Sequence, residues 1–558
     1  MPITIDPSTP LAAECEAIWA ATQAQASQER RRAQVPELVR LWDGEWMLHH
    51  VITYDNSSSF GIADADTAPA TIELDTLTPA AQWALDMQAR IDRGEMRNVH
   101  LTVDYASGER TGYRMHVARQ QERDDGSSVV VLEFLSDHEE FKYRYIKPNT
   151  FLPAWFQMPR LSIIPGPTCW TSSTALFLDI FREHNPLITF PDDPGDLGSW
   201  VSALDQSEWS VVVKPISFLE DMAAGTVWSI VTGRWDNYHD RMKTIWRDAE
   251  VTPVLRRYLA GDEPPWPGAD LRHGALVVSF EDRSGHHTGT SHGGSIFDGL
   301  LRTFLEPAEG LVDSTLALVT GATIPAEYYE PGGFLTHKEL PYCVYLAGEN
   351  TGIQEMEFCS YPGTAVNLST GGHSMPGVNE AISAAIQAVG DIVGDLLQIG
   401  SIGGAVDTIL RPIYEDTVLA WIELKLHLKA QTQGWSRYWE QFIDSAGKAY
   451  TIDSVMVLRA GAWATRPYET VTFKVRDGHP FLVGIHFWIG HRIGATRRHD
   501  KTGRIYINRA SKLTRTRSRD DFALWEIEMG DPRTDDPAAA IWERMQTLTG
   551  AVRTLGVW

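Results

Sequence analysis

The sequence predicts an α+β multidomain chain in which two small antiparallel β domains flank a mixed α/β middle region and a helical segment. Three observations predict it. Near both ends, apolar and polar residues alternate in short runs separated by Gly-bearing turns, the pattern of antiparallel strands with one wet face. Between them, helical and strand-like stretches interleave. From Gly377 to about Ile413 the apolar residues follow a helical period instead. The 558 residues suffice for three or four domains, and 43% hydrophobic with 22% charged residues is an ordinary globular balance.

The elements follow in order. Residues 8–33 read as a helix capped by Ser8 or Thr9, with Pro10 in its first turn and Arg30–Arg32 at its C-terminal end, where cations complement the dipole. Residues 1–35 are therefore a solvated or partner-facing arm. The first β domain, 36–150, carries strands at Trp46–Tyr54, Val99–Tyr105, Tyr113–Val117 and Val129–Leu135, with one helix at Pro79–Arg93. Pro148, Pro153, Pro159, Pro165 and Pro167 mark a boundary. The middle domain, 151–375, shows a helix at Thr174–Glu183, a strand at Trp209–Lys214, helical patterning over Ser229–Ala260 broken at Pro253, and a strand at Ala275–Phe280. The helical segment is 376–440, with further helices at Ile402–Ile413 and Tyr414–Ala430. The second β domain, 441–558, places strands at Ser454–Leu458, Thr470–Val475, Phe481–Trp488 and Arg504–Asn508, then a C-terminal helix.

The segment from Val378 carries the clearest geometry. Asn379, Ser383, Gln387, Asp391 and Asp395 recur every four residues. Val378, Ile382, Ile386, Val389, Val393 and Leu396 lie off that line and form a candidate buried face. The stretch is long enough to span a bilayer, but Asp391 and Asp395 would each cost about 2.5–3.5 kcal/mol there. Burial in protein, in an oligomer core, is the better reading.

Candidate chemistry is sparse. Gly289-Thr290-Ser291-His292-Gly293 fits the nucleophile-elbow pattern, but that elbow sits directly on a strand-to-helix turn, and about nine residues separate this motif from its strand. His286, His287 and His292 share the loop without the convergent ligands of a metal site. No catalytic, cofactor-binding or metal-binding residue is assigned, and no cofactor is expected. Of the 20 tryptophans, Trp46, Trp83, Trp200, Trp209, Trp228, Trp235, Trp246 and Trp525 lie within or beside periodic segments and read as packing residues. The run Phe151–Phe156 reads as exposed. From His491 to Arg519 ten Lys or Arg face one acid, and Arg515, Arg517 and Arg519 alternate, so a strand there has one cationic face suited to an acidic partner or another copy.

Composition excludes some classes. With 73 acidic against 49 basic residues, the net charge of −24 argues against sequence-specific nucleic-acid binding. Cys15, Cys169, Cys343 and Cys359 are too few and too scattered for a disulfide framework and read as mostly buried thiols. Met1–Asp6 has neither a basic nor an apolar signal region, which fits assembly in a cytoplasm.

Seven segments, in this order and spacing, carry a resemblance: Leu38–Gly44, Asn98–Asp104, Trp209–Pro215, Gly261–Gly268, Thr288–Ser291, Gly371–Glu380 and Asp477–Gly484. Together they resemble the minor tail proteins of actinobacteriophages, in particular the large tail-tip proteins similar to baseplate hubs of long-tailed phages. The resemblance implies a structural virion protein of the tail tip and not an enzyme. It implies tail-tube-like β domains at 36–150 and 441–558, and a homotrimer whose six such domains match a sixfold tube. It also implies neighbours among distal tail, tape measure and other minor tail proteins, and a contact with the host cell envelope. Two alternatives remain at this point: a virion esterase or cell-wall hydrolase using Ser291, and a host-glycan-binding tail module.

Overall fold

The computed structural model describes residues 11–284, 343–371, 421–443 and 465–530, apart from 125, 191–193, 196–197, 199, 201–204, 349–350, 466, 502 and 520–522. The chain forms two compact units. One is Met1–Phe358 with Thr470–Asp531, the other Cys359–Glu469 with Pro532–Trp558.

In the first unit, helix Leu11–Ala33 precedes seven strands: β1 (Leu38–Asp43), β2 (Leu48–Ile52), β3 (Ser57–Ala63), β4 (Pro69–Asp75), β5 (Val99–Asp104), β6 (Arg110–Glu122) and β7 (Ser128–Ser136). The predicted alternation around Val99, Tyr113 and Val129 gives β5 to β7. Three strands, β1, β3 and β4, escape the pattern. β3 reads Ser-Ser-Ser-Phe-Gly-Ile-Ala, polar and small, because its pairing partners and not its side chains bury it. Gly61 is required there, since a Cβ would sit 2.7 Å from the Pro69 carbonyl oxygen. The single helix predicted over Pro79–Arg93 is two, Pro79–Leu85 and Met87–Asp92. Asp86 ends the first and caps the second, accepting from Ala89 N–H.

A second core follows. It holds β8 (Tyr145–Ile146), β9 (Ser162–Pro167), β10 (Val211–Val213), β11 (Trp228–Gly233), β12 (Asp236–Asn237), β13 (Val251–Arg257) and β14 (Leu276–Asp282). β14 pairs parallel with β10 and antiparallel with β13. Helices Thr168–Glu183 and Tyr238–Ala249 bury Leu176, Ile180, Met242 and Trp246 against these strands. The first helix starts six residues before the predicted Thr174. Its early polar residues are satisfied internally: Ser172 Oγ donates to the Thr168 carbonyl at 2.6 Å. The helical patterning over 229–260 resolves into strand, helix and strand. Pro253 is tolerated because β13 lies at the edge of its sheet.

The C-terminal part returns to the large sheet with β15 (Val344–Tyr345) and β16 (Ile353–Tyr361). The other unit supplies β17 (Asn367–Gly371), β18 (Trp421–Lys425) and β19 (Glu440–Phe442). The large sheet then receives β20 (Tyr468–Arg476), β21 (Arg492–Thr496), β22 (Ile505–Ser518) and β23 (Leu524–Met529). The thirteen-stranded sheet runs β16-β20-β23-β22-β3-β4-β7-β6-β5-β1-β2, with β21 on β22 and β15 on β21. The two predicted β regions thus share one sheet, joined where β22 pairs antiparallel with β3, Arg515 opposite Phe60. One apolar core runs beneath both, with Val39, Leu101, Leu132, Phe473, Leu513 and Ile527 fully or almost fully buried. The protein is mixed α+β and dominated by this antiparallel sheet. The predicted strand Phe481–Trp488 is a turn-rich segment, with Gly484 at φ +87°.

The second unit pairs β17 antiparallel with β18 and parallel with β19. Trp421–Lys425 is a strand and not the predicted helix; its Trp-Ile-Glu-Leu-Lys alternation has period two. Helix His427–Gln433 follows. The candidate face Val378, Ile382, Ile386, Val389, Val393 and Leu396, the strand Ser454–Leu458, the Ser291 loop and the C-terminal helix lie outside the described residues.

Candidate assembly interface

β22 carries the cationic stripe into the middle of the sheet. Arg515 and Arg517 share one face, as their spacing predicts. Arg515 lies over the Trp525 ring at 5.4 Å and donates its Nε–H to Glu37. Arg517 Nη2 donates to Asp55 at 2.5 Å, and its Nη1 lies 3.5 Å from Glu37. Glu37 and Asp55 are themselves buried. Arg519, past the strand end, is exposed and stacks over Tyr54 at 5.5 Å. Two of the three arginines are thus paired inside the chain, Arg515 buried and Arg517 half-buried, and Arg519 is the exposed one.

Asp477 completes this cluster. It accepts from Trp525 Nε1 at 3.2 Å and from Val483 N–H at 3.0 Å. Burial raises its pKa above the usual carboxylate range, and Arg515 offsets part of the rise. Sequence reasoning missed Glu37, Asp55 and Asp477. Glu37 lies 478 residues from Arg515, so no local pattern signals the pairing.

The second core is fastened to the sheet by similar means. Arg257 makes a two-pronged contact with Asp137 at 2.6 and 2.8 Å, buried on both sides. Arg110 joins Asp104 to Asp262. Gly112 makes room for this: a Cβ there would meet Asp137 Oδ2 at 2.0 Å. Arg283 donates to the Ile489 carbonyl, tying this core to the C-terminal strands as well.

The arginines and carboxylates among these groups neutralise one another. Burial raises the pKa of Cys343 to about 12 and that of Cys169 well above its ordinary value, so both are neutral thiols. Among the described residues no group of three or more His, Cys, Asp or Glu side chains could hold a metal ion. Also among them, no helix is long and apolar enough to cross a membrane. The surface does carry aromatics. Phe151, Trp155 and Phe156 are exposed as the sequence suggested, and so in the second unit are Trp435, Tyr438 and Trp439.

The family model described as Siphovirus ReqiPepy6 Gp37-like protein matches residues 38–531. The chain belongs to this family. Relatives include the minor tail proteins Gp28 of Mycobacterium phages L5 and D29. Each is 29% identical over 98% of this chain, and the match covers 98% and 99% of their own lengths. Solved structures with some likeness include a tail protein from Neisseria meningitidis MC58. It is 10% identical with TM-score 0.39, covering 90% of this chain and 99% of that one. Another is the 43 kDa tail protein of prophage MuSo2 from Shewanella oneidensis, 8% identical with TM-score 0.38, at the same coverages. The fold of the Gp37-like chain rests on its own strand pairing and not on these likenesses. It is a component of the phage tail, homologous to mycobacteriophage minor tail proteins.

Proposed function

We propose that this Gp37-like protein is the central hub of the tail tip, a homotrimer that closes the tail tube and supports host-envelope attachment and DNA ejection. The observation that carries this reading is the similarity to minor tail proteins along almost the whole chain. The sheet supports it. Two β regions joined edge to edge give each chain two neighbouring wall segments, and three copies would give six, the number a sixfold tube presents. On this reading 36–150 and 441–558 supply the tube-like domains, and 376–440 lies near the trimer axis. Distal tail, tape measure and other minor tail proteins are the neighbours. A net charge of −24 repels DNA phosphate and favours passage over binding.

A symmetry-resolved reconstruction of the intact tail tip tests it. Three copies around the distal end of the tube are expected, and a nonsense mutation in the gene should yield non-infectious particles. Density for this chain along the tail shaft, or full infectivity without it, would overturn the hub reading.

A further inference from the structure

Between Lys147 and Arg160 the chain has no charged residue, and from Phe141 to Leu178 it has no acid at all. In a chain with a net charge of −24 this is a local exception. The stretch links β8 to β9 and carries the exposed aromatics of the second core. Trp155 is 87% exposed, and Phe151, Phe156, Met158 and Pro159 are exposed with it.

The loop is held by its own polar groups. Buried Arg182, on helix Thr168–Glu183, donates from Nη1 to the carbonyls of Leu152 at 2.7 Å, Thr150 at 3.1 Å and Asn149 at 3.2 Å. The Gln157 side-chain amide donates to the Leu152 and Pro153 carbonyls at 2.8 and 3.0 Å and accepts from Asn149 N–H at 2.9 Å. The Asn149 side chain donates to the Met158 carbonyl and accepts from Phe151 N–H, both at 2.8 Å. Phe156 N–H closes the turn on the Pro153 carbonyl at 3.0 Å. The Phe151 ring lies 5.8 Å from that of Phe181 and roots the loop, while Trp155 and Phe156 sit side by side at 6.1 Å. The polar side chains are spent on the loop's own backbone and the apolar ones are left outside, the reverse of an ordinary surface loop.

That inversion narrows what the loop can meet. A glycan site sets hydrogen-bonding side chains around its aromatic platform, and both amides here are used internally. A protein interface carries about one hydrogen bond per 100–200 Å², and this tip offers little beyond the Trp155 indole N–H. A bilayer asks for apolar side chains, an indole at headgroup level and backbone groups satisfied within the protein. The carbonyls of Asn149, Thr150, Leu152, Pro153 and Met158 meet the last demand. Charge agrees. Lys142, Arg144 and Lys147 are paired with Glu139, Glu140 and Asp179. Arg160, exposed at the foot of the loop, has no partner among the described residues and is complementary to a lipid phosphate.

We infer that Phe151–Met158 is a lipid-contact loop, which seats Trp155, Phe156 and Met158 in the headgroup region of a bilayer with Arg160 against phosphate. The inference deepens the host-envelope contact of the proposed function and rests on that reading for its place in infection.

Flotation of the full-length protein with vesicles tests it, using phosphatidylcholine with one-fifth phosphatidylglycerol. The parent should float at roughly millimolar lipid, as a single short anchor does. Trp155→Ser with Phe156→Ser should bind at least about tenfold less, with unchanged thermal melting, since both side chains are exposed. Arg160→Ala should bind about fivefold less. Trp19→Ser with Leu77→Ser, two exposed residues elsewhere, should bind like the parent. Raising the salt to about 0.5 M should leave Trp155-dependent binding in place, because apolar contact is not screened. A parent that does not float, a loop variant that floats as well as the parent, or binding abolished by salt overturns the inference. So does loss of this chain from the tails of phage carrying the loop variant, which marks a protein pocket as the occupant. The two readings fail separately. A floating protein found along the tail shaft sinks the hub alone, and a tip protein that does not float sinks the lipid contact alone.

Discussion

Arg509 and Asp64, 445 residues apart in the chain, meet at 2.8 Å where the two β regions and the second core converge. Thr252 from β13 completes the contact: its hydroxyl donates to Asp64 at 2.6 Å and accepts from Arg509 at 2.7 Å. Gly490, at φ +83°, leaves the space, since a Cβ would lie 2.0 Å from that hydroxyl. One side-chain cluster thus holds three segments that share no sequence neighbourhood.

Removing one partner of this pair should cost more than its net worth, because the side chains are only 14% and 12% exposed and the survivor keeps an unpaired charge. Asp64→Ala is expected to destabilise the first unit by about 3–5 kcal/mol. Asp64→Ala with Arg509→Ala should lose clearly less than the sum of the singles. Urea titration followed by tryptophan fluorescence measures this, and strict additivity would show that the pair is not coupled.

The cationic stripe should divide in function. Arg515→Ala leaves buried Glu37 with only Arg517, at 3.5 Å, and is expected to cost about 3–5 kcal/mol. Arg519→Ala removes an exposed stacking contact and should stay within about 0.5–1 kcal/mol. Equal losses in thermal unfolding would contradict the burial difference.

His138 sets a pH dependence. Burial, with His239 at 5.3 Å between ring centres, lowers its pKa from 6.5 to about 3. Asp66 opposes the shift, while Lys142 adds to it. The unfolded chain takes up this proton near pH 6.5 and the folded chain does not until about 3. The histidine's contribution is therefore fully present above pH 6.5 and is lost as pH falls through that window, at about 1.4 kcal/mol per pH unit. His138→Leu should flatten the stability profile between pH 6 and 4 by about one proton. A profile parallel to that of the parent chain would refute the assignment.

The helical stripe at 377–413 gives a sequence-based prediction. Four residues turn a helix by about 400°, so its polar line winds by roughly 40° per step and leaves most of the circumference apolar. Ile386→Asp should block assembly of infectious tails, whereas Gln387→Glu should be mild. Plaque assays and tail counts by electron microscopy report the difference. Equal tolerance would show that the apolar face is not packed.

Much of the fold was legible where side chains carry the signal. β7 and β20 have period-two alternation because one face meets the core; β5 alternates in residue type, although its polar His100 and Thr102 are buried as well. β3 did not show, since its burial comes from strands on both sides. Pro253 suggested a helix break, and only the sheet order shows that it sits on an edge strand. The arginine stripe was visible, but its acids were not. Ion pairs across 400 residues leave no spacing to read, and Arg515 looked available only because Glu37 was invisible.

The β22–β3 joint also imposes a timetable on the nascent chain. Ser57 waits for Ser518, so some 460 residues must be made before the sheet closes. At about 5–20 residues per second, the β3 edge stands open for roughly half a minute to a minute and a half. During that interval it is complementary to any finished β22 nearby, including one on another ribosome's product. Strand exchange between half-made and completed chains is therefore the characteristic error this topology invites, and fast, dilute synthesis guards against it.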